Sequence, residues 1–212
     1  MSEGWIEEQL VARGITDARV LEAMRRVPRE AFVPNASYAQ AYADRALPIG
    51  SGQTISQPYM VAVMSEALRL TGSERVLDVG TGSGYQAAVL GELARSVMTI
   101  ERVPELAETA RARLAALGYA NVDVRVGDGT LGSPSYAPFD GILVAAGAPR
   151  APDALKQQLS PDGGRLVIPI GPAEQQWLVV ITRHGDQFAE SSGIGCVFVP
   201  LLGHDGWPPV QT

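Results

Sequence analysis

Two patterns of apolar residues alternate along the central part of the chain. Short apolar runs typical of buried strands occur at residues 75–80, 96–101, 122–129, 139–145 and 164–171. Segments with the apolar spacing of helices separate several of these runs, at residues 83–94, 104–117 and 151–159. Strands that are apolar throughout and separated by helices are typical of a parallel sheet covered on both faces.

The N-terminal part of the chain follows a different pattern. Residues 4–27 show helical spacing with a predicted break between Gly14 and Asp17, and the proline-flanked segment after them predicts an extended connector. Residues 35–54 have no regular pattern and predict irregular structure. A helix is predicted over residues 58–70, because apolar side chains recur at helical spacing behind a proline that suits a first turn.

The C-terminal part predicts strands without a helix between them. Residues 176–191 and 193–202 alternate like strands joined by a turn, which indicates an antiparallel addition at the sheet edge. The predicted fold is α/β: a doubly wound, mostly parallel, seven-stranded, Rossmann-like sheet with an antiparallel edge and an N-terminal helical extension. We expect one domain over the whole chain, with N-terminal helices and a loop at 1–57, a ligand-binding core at 58–171 and C-terminal strands at 172–212.

Composition and charge narrow the class of protein. The chain has 212 residues, of which 46% are hydrophobic and 19% charged, with a net charge of -6 and no block of basic residues. Such a charge argues against a sequence-independent nucleic-acid partner. Cys196 is the only cysteine, and neither a secretory leader nor a long apolar run is evident. We therefore expect a cytoplasmic, soluble monomer with no membrane partner and no metal ligand set.

A glycine-rich turn follows the first predicted core strand. The segment "VLDVGTGSGYQ" places Asp78 within the strand and Gly80, Gly82 and Gly84 after it. Glycines at this turn let the backbone approach a ligand at the carboxyl ends of the strands. The spacing G-x-G-x-G differs from the G-x-G-x-x-G of dinucleotide sites. By itself the loop is also compatible with a tight strand-to-helix turn.

Two acids at later strand ends give the turn a chemical meaning. Glu101 closes "VMTIE" and Asp128 lies in "VGDGT", so both are expected to face the crevice beside the glycine loop. Glu101 suits the two hydroxyls of a ribose, and Asp128 suits an adenine amino group. Separately, each acid is also compatible with a cap or turn role. Together they favour a nucleoside with a cationic centre, such as S-adenosylmethionine, over a dinucleotide with phosphates.

Several longer motifs carry a family resemblance. "VLDVGTGSGYQAAVL", "TIERVPEL", "GDG", "FDGILVAAGAP" and "LSPDGGRLVIPIG" resemble successive motifs of the class I S-adenosylmethionine-dependent methyltransferases. With "RALPIGSGQTISQPYMVAVM" upstream, the chain resembles the protein-L-isoaspartate (D-aspartate) O-methyltransferase family, from about Ile6 to Leu202. The resemblance implies methyl transfer from S-adenosyl-L-methionine to the free α-carboxylate of L-isoaspartyl residues in damaged proteins and peptides. The products would be S-adenosyl-L-homocysteine and an ester that leads to repair through a succinimide; acceptance of D-aspartyl residues stays open.

The resemblance also implies a set of site residues. Ser56 is the expected active-site residue, and the expected substrate contacts are Thr54, Ile55, Gln57, Val199 and Leu201. The expected cofactor contacts are Asp78, Gly80, Thr81, Gly82, Ser83, Gly84, Glu101, Arg102, Asp128 and Gly129. One position departs from the family pattern, because Val197 stands where a basic residue is expected before Phe198. This departure concerns the preference for the peptide more than the type of reaction.

The expected reaction explains why the sequence offers few bases. The α-carboxylate of an isoaspartyl residue has a pKa of roughly 3.5 and is already an ionised nucleophile at neutral pH. No general base is then needed, and the enzyme supplies positioning and partial desolvation. Ser56 would orient the carboxylate, although a serine before Pro58 is also compatible with a helix N-cap. The alternatives are methylation of another carboxylate or a small molecule, a non-catalytic cofactor-binding module and, third, a nicotinamide oxidoreductase.

Overall fold

A seven-stranded sheet organises the computed structural model, which describes residues 4–208. The strand order is β5-β4-β3-β6-β7-β8-β9. These strands are β3 (Arg75–Val79), β4 (Ser96–Glu101), β5 (Val122–Val126), β6 (Gly141–Val144), β7 (Asp162–Ile170), β8 (Gln176–His184) and β9 (Gln187–Cys196). The pairs among β3 to β7 are parallel, and β8 and β9 add in antiparallel fashion. The predicted fold class is confirmed.

Most of the helices lie where the apolar spacing predicted them. They are α1 (Gly4–Gln9), α2 (Ala18–Arg26), α3 (Tyr38–Ala41), α4 (Pro58–Leu68), α5 (Tyr85–Leu93), α6 (Pro104–Ala116) and α7 (Asp153–Gln157). The break predicted between Gly14 and Asp17 is present, and the Asp17 carboxylate caps α2 by accepting from the N–H groups of Arg19 and Val20. The outermost residues of the predicted domain, 1–3 and 209–212, lie outside the described residues.

Two predictions for the N-terminal third are wrong. The expected extended connector contains a 3-10 helix, Arg29–Phe32. The segment expected to be irregular contains α3 and a hairpin of β1 (Leu47–Gly50) and β2 (Gln53–Ile55). These elements are too short to show an apolar period, although α3 starts at a local capping box between Ser37 and Gln40. The hairpin matters for function because it leads directly into the loop before α4.

The sheet topology fixes where a ligand can bind. From β3 the chain moves outward through β4 and β5, then returns to the other side of β3 and continues through β6 and β7. The carboxyl ends of β3 and β6 therefore flank the point at which the strand order reverses, and ligands of open α/β sheets bind at such points. Alternate side chains of β3 enter two apolar clusters, with Val76 in one and Leu77 in the other.

Candidate functional site

Two neighbouring cavities open at the carboxyl ends of the central strands. The first cavity lies against the glycine loop, β4 and the segment 199–202. The second cavity lies between the hairpin, the start of α4 and the segment 194–199. Four residues line both cavities: Thr54, Ser56, Ala145 and Val199. Ser56, the expected active-site residue, therefore lies in the shared wall.

The glycine loop forms the floor of the first cavity. Gly80 and Gly82 have φ angles of 97° and 52°, in the left-handed region that glycine adopts without a side-chain clash. The Gly80 N–H donates to the Ile100 carbonyl at 2.9 Å, which ties the loop to β4. Of the expected cofactor contacts, this wall contains Gly80, Thr81, Gly82, Ser83, Glu101, Arg102 and Gly129.

Glu101 closes one side of the first cavity. Its Oε2 accepts from the Gly82 N–H at 2.9 Å and its Oε1 from the Val103 N–H at 3.0 Å. Each carboxylate oxygen can accept a further hydrogen bond. A fixed acid beside apolar side chains at Ile100 and Val103 suits a ribose diol with a flat base next to it. The residues present therefore fit a nucleoside cofactor.

Asp78 lies beneath this wall, and it does not line the cavity as predicted. It is fully buried on β3, where its Oδ2 accepts from the Thr99 hydroxyl at 2.8 Å. Its Oδ1 has no hydrogen-bond partner within residues 4–208. Burial raises the pKa of Asp78 to about 7, the Thr99 bond opposes the rise and the charge of Glu101 adds to it. Its influence on a ligand is therefore indirect, through the strand below the loop.

Asp128 and Gly84 are also absent from the wall of the first cavity. The Asp128 carboxylate accepts from the Thr130 N–H and hydroxyl and from the His204 N–H at 2.8 Å. Although partial burial opposes it, these bonds lower the pKa of Asp128. Asp128 thus fastens the C-terminal segment to the end of β5, and its contact with an amino group stays a prediction.

The expected substrate contacts divide between the two cavities. Gln57 lines only the second cavity, whereas Ile55 and Leu201 line only the first. The other residues of the second cavity are mainly apolar or small: Ala46, Tyr59, Met60, Ile194, Gly195, Cys196, Val197 and Phe198. Arg13 is the one charged side chain in that wall among the described residues. The residues predicted to contact the substrate therefore lie around both cavities, and their contact with a substrate stays a prediction.

Ser56 is not the cap of α4. The N-cap is Gln57, which makes no side-chain capping bond. Asp44, which is distant from α4 in sequence, caps the helix instead, because its Oδ1 accepts from the Tyr59 N–H at 3.1 Å. Its Oδ2 accepts from the Gln57 side chain at 2.7 Å and pairs with Arg13. The alternative interpretation of Ser56 as a helix cap is therefore wrong.

Three residues near the site were missed by sequence reasoning. Asp44 holds Gln57 and the start of α4, Arg13 lines the second cavity, and Arg29 donates to the Ser56 carbonyl at 2.8 Å. None of them lies in a motif with a recognisable spacing, so no local signal pointed to them.

Within residues 4–208, His, Cys, Asp and Glu side chains form no group that could hold a metal ion. No helix in that range has the length and apolarity to cross a membrane.

The fold and the first cavity define a class. Class I S-adenosylmethionine-dependent methyltransferases have this architecture: a doubly wound sheet with an antiparallel edge, a G-x-G-x-G loop, and an acid after the second strand that suits a ribose. A solved protein-L-isoaspartate O-methyltransferase superimposes with a TM-score of 0.86 at 28% identity, covering 97% of this chain and 67% of that one. A Plasmodium falciparum protein assigned to the same activity, solved with S-adenosyl-L-homocysteine, gives 0.78 at 26% identity and covers 94% and 97%.

Sequence comparison gives the family. The profile of the protein-L-isoaspartate(D-aspartate) O-methyltransferase family matches residues 3–206. A Marinobacter nauticus protein-L-isoaspartate O-methyltransferase 2 is 62% identical over 94% of this chain and 92% of its own length. A Methylorubrum populi protein-L-isoaspartate O-methyltransferase is 60% identical over 93% of this chain and 92% of its own. The chain belongs to the protein-L-isoaspartate(D-aspartate) O-methyltransferase family.

Proposed function

We propose that the chain transfers a methyl group from S-adenosylmethionine to the free α-carboxylate of L-isoaspartyl residues in damaged proteins and peptides. The transfer leaves S-adenosylhomocysteine and a methyl ester, and repair starts when the following backbone nitrogen attacks the ester carbonyl, which closes a succinimide and releases methanol. The observation that carries this proposal is the position of Ser56 in a wall shared by two cavities. One cavity fits the nucleoside, and the other is open to a peptide.

The first cavity supplies the cofactor site. When bound there, S-adenosylmethionine supplies an electrophilic methyl group on a sulfonium. Glu101 would accept from the ribose hydroxyls while it keeps its bonds to Gly82 and Val103. The glycine loop would hold the amino-acid end, because its backbone can approach closely without side chains in the way. Asp78 would support this loop from below.

The second cavity supplies the substrate site. A carboxylate attacks as it stands, so the chain needs to orient it and to remove part of its water. The Ser56 hydroxyl can donate to one carboxylate oxygen, and the apolar wall near Met60 and Phe198 excludes water. Burial raises the pKa of the Cys196 thiol to about 11, so this thiol stays protonated and is not a competing nucleophile.

Arg13 gives the peptide subsite its charge, and Val197 gives it apolar surface. The Arg13 guanidinium pairs with Asp44 and lies 3.4 Å from the centroid of the Tyr59 ring. Val197 is strongly exposed where the family pattern led us to expect a basic residue. The positive charge beside the substrate therefore comes from the N-terminal extension, and apolar surface comes from the C-terminal segment.

Ser56→Ala tests the central residue. We expect turnover on an isoaspartyl peptide to fall about ten-fold or more, on the order of 1–3 kcal/mol for a hydrogen bond to a charged group. The affinity for S-adenosylhomocysteine, measured by calorimetry, should change little because the glycine loop and Glu101 are intact. Equal turnover in the variant and the wild type would refute the role of Ser56.

Paired peptides test the reaction itself. Transfer of tritiated methyl from S-adenosylmethionine is measured on two peptides of one sequence, containing either isoaspartate or normal aspartate. We expect label only on the isoaspartyl peptide, released as methanol when the ester closes to the succinimide or hydrolyses. Label on both peptides alike would indicate another carboxylate methyltransferase. Label on neither, with cofactor binding intact, would indicate a binding module.

The location, partners and oligomeric state of the protein form a second part of the proposal. We propose a cytoplasmic monomer of one domain, acting on proteins and peptides and not on nucleic acid or membranes. The net charge of -6 argues against nucleic acid as a partner, and the continuous sheet supports a single domain. Light scattering at micromolar concentration tests the monomer, and an elution mass of twice 22.4 kDa would contradict it.

A further inference from the structure

One arginine is enclosed in the interior beside the active-site loop. Arg29 has no exposed surface, and within residues 4–208 it takes part in no ion pair. Its Nη1 has no hydrogen-bond partner in the same range. Burial lowers the pKa of Arg29, yet a guanidinium stays protonated in proteins. The chain therefore encloses a positive charge without a paired carboxylate, and this enclosure lowers the stability of the fold. A role in function would explain why the charge is kept.

The guanidinium joins two walls of the site. Its Nη2 donates to the Ser56 carbonyl at 2.8 Å and its Nε to the Ala41 carbonyl at 2.7 Å. Its Cζ lies 4.8 Å from the centroid of the Tyr85 ring, and Tyr85 lines the first cavity. Arg29 thus contacts the shared wall through Ser56 and the first cavity through Tyr85.

The bond to the Ser56 carbonyl controls the direction of the Ser56 side chain. A fixed carbonyl sets the peptide plane after Ser56, and the Asp44 bond to Gln57 holds the next residue. Rotation of this plane would displace the hydroxyl, and a misplacement of about 1 Å can lower a rate on the order of 100-fold. The loop is therefore held on both sides of Ser56.

The charge itself needs a second explanation, because a neutral amide could donate to a carbonyl without that cost. A positive charge in a region of low dielectric acts on a nearby carboxylate far more strongly than it would in water. The substrate carboxylate binds at Ser56 under the proposed function, and Arg29 lies directly behind Ser56. A buried cation at this position would favour a bound anion at the loop.

We propose that Arg29 is the positioning residue of the substrate-carboxylate site. It orients Ser56 through the carbonyl bond, and its buried positive charge attracts the bound carboxylate from behind Ser56. This inference rests on the proposed function of Ser56. It assigns the role to a residue that does not line either cavity, so Arg29 acts through Ser56 and does not touch the substrate.

A double-mutant cycle tests the proposal. Arg29→Lys keeps the charge but cannot reach both carbonyls, so kcat/KM for an isoaspartyl peptide should fall about ten-fold. The same substitution in a Ser56→Ala background should cost less than about two-fold, because the oriented hydroxyl is already absent. The Kd of S-adenosylhomocysteine, measured by calorimetry, should stay within about two-fold in every variant.

Two further variants separate position from stability. Tyr42→Phe removes the hydroxyl that accepts from the Arg29 backbone N–H at 3.2 Å and leaves the guanidinium bonds in place. It should lower the melting temperature without lowering kcat/KM. Should Arg29→Lys fold poorly, Arg29→Gln replaces it in the cycle. Because this change also removes the charge, its cost in kcat/KM should be smaller in the Ser56→Ala background than in the wild type, but should not vanish.

The outcomes distinguish the two proposals. An equal loss in both backgrounds, or a loss that follows melting temperature across all variants, overturns the role of Arg29 alone. A silent Ser56→Ala overturns the role of Ser56, and the positioning by Arg29 with it. A wild-type protein that leaves the isoaspartyl peptide unlabelled refutes the proposed function as a whole.

Discussion

The two cavities that meet at Ser56 are built in different ways. The polar wall of the first cavity comes from turns that directly follow β3 and β4, and its key bond joins Gly82 to Glu101 across one strand-helix-strand unit. The second cavity is assembled from the N-terminal extension, the hairpin loop and the C-terminal segment. Its supports, such as the pair of Arg13 and Asp44, join parts of the chain that no regular unit connects.

Because the two cavities are built differently, their functions can vary independently. A crevice at a strand-order reversal is a property of the sheet, so the first cavity needs only glycines and an acid in register. The second cavity depends on segments that lie outside the repeating units of the fold. We therefore expect substitutions in the first cavity to alter cofactor affinity, and substitutions around the second to alter turnover or peptide choice.

Removal of Glu101 should give the largest effect and should be confined to the first cavity. Glu101→Ala removes the acceptor for Gly82 and Val103 as well as the proposed ribose contact. We expect S-adenosylhomocysteine to bind about 100-fold more weakly, by loss of charge-assisted hydrogen bonds, as measured by calorimetry.

Glu74→Ala is the matched control for this prediction. Glu74 also accepts from backbone N–H groups, those of Thr71 and Gly72, but it precedes β3 and so lies at the amino ends of the parallel strands. It should leave cofactor affinity unchanged. Similar losses in the two variants would mean that the acid at the carboxyl end has no special role.

Asp44→Asn should affect turnover and spare the cofactor. The change weakens the acceptor that holds Gln57 and the Tyr59 N–H, so the loop around Ser56 loses one of its two supports. We expect kcat/KM for an isoaspartyl peptide to fall about ten-fold, with the affinity for S-adenosylhomocysteine retained.

Asp17→Asn provides the comparison, because Asp17 caps α2 in the same manner away from both cavities. It should lower stability by about 1 kcal/mol or less and leave kcat/KM unchanged. If Asp44→Asn behaves like Asp17→Asn, then the separation between the two cavities is wrong at this residue.

Asp78→Asn should change the pH dependence of stability. Burial raises the pKa of Asp78 to about 7, so the native state holds a proton that the unfolded state releases above roughly pH 4. Wild-type stability should therefore fall between about pH 4 and pH 7, by on the order of 1 kcal/mol per pH unit. The asparagine variant should lack this contribution. Urea unfolding from pH 4 to pH 8 measures it, and parallel profiles would contradict the burial effect.

Arg13→Gln should give the smallest effect, limited to peptide choice. Arg13 is partly exposed and already paired with Asp44, so its contribution is that of a surface charge. We expect KM to rise about two- to five-fold for isoaspartyl peptides with acidic neighbours, and less for neutral ones. Arg25→Gln, an exposed charge on α2 that lies outside both cavities, should leave KM unchanged for both peptides. Equal changes in KM for the two peptides would show that Arg13 does not distinguish peptides by their charge.

The sheet and the first cavity could be predicted from sequence because their signals are local. An apolar run predicts a buried strand, glycines mark the turn after it, and an acid at the end of β4 falls beside that turn by the rules of the fold. Asp78 and Asp128 show the limit of this reasoning. Both acids occur where the pattern places them, but Asp78 points into the core and Asp128 holds the C-terminal segment.

The surroundings of Ser56 depended on contacts between distant segments. The sequence alone determined the fold class, the glycine loop with Glu101 and, through its resemblance, the region of the active-site loop. Only the tertiary structure showed that Asp44 caps α4, that Arg13 lines the second cavity and that Arg29 donates to the Ser56 carbonyl. The physical reason is that local propensity and periodicity report on neighbours along the chain, whereas these bonds form only after packing brings the segments together.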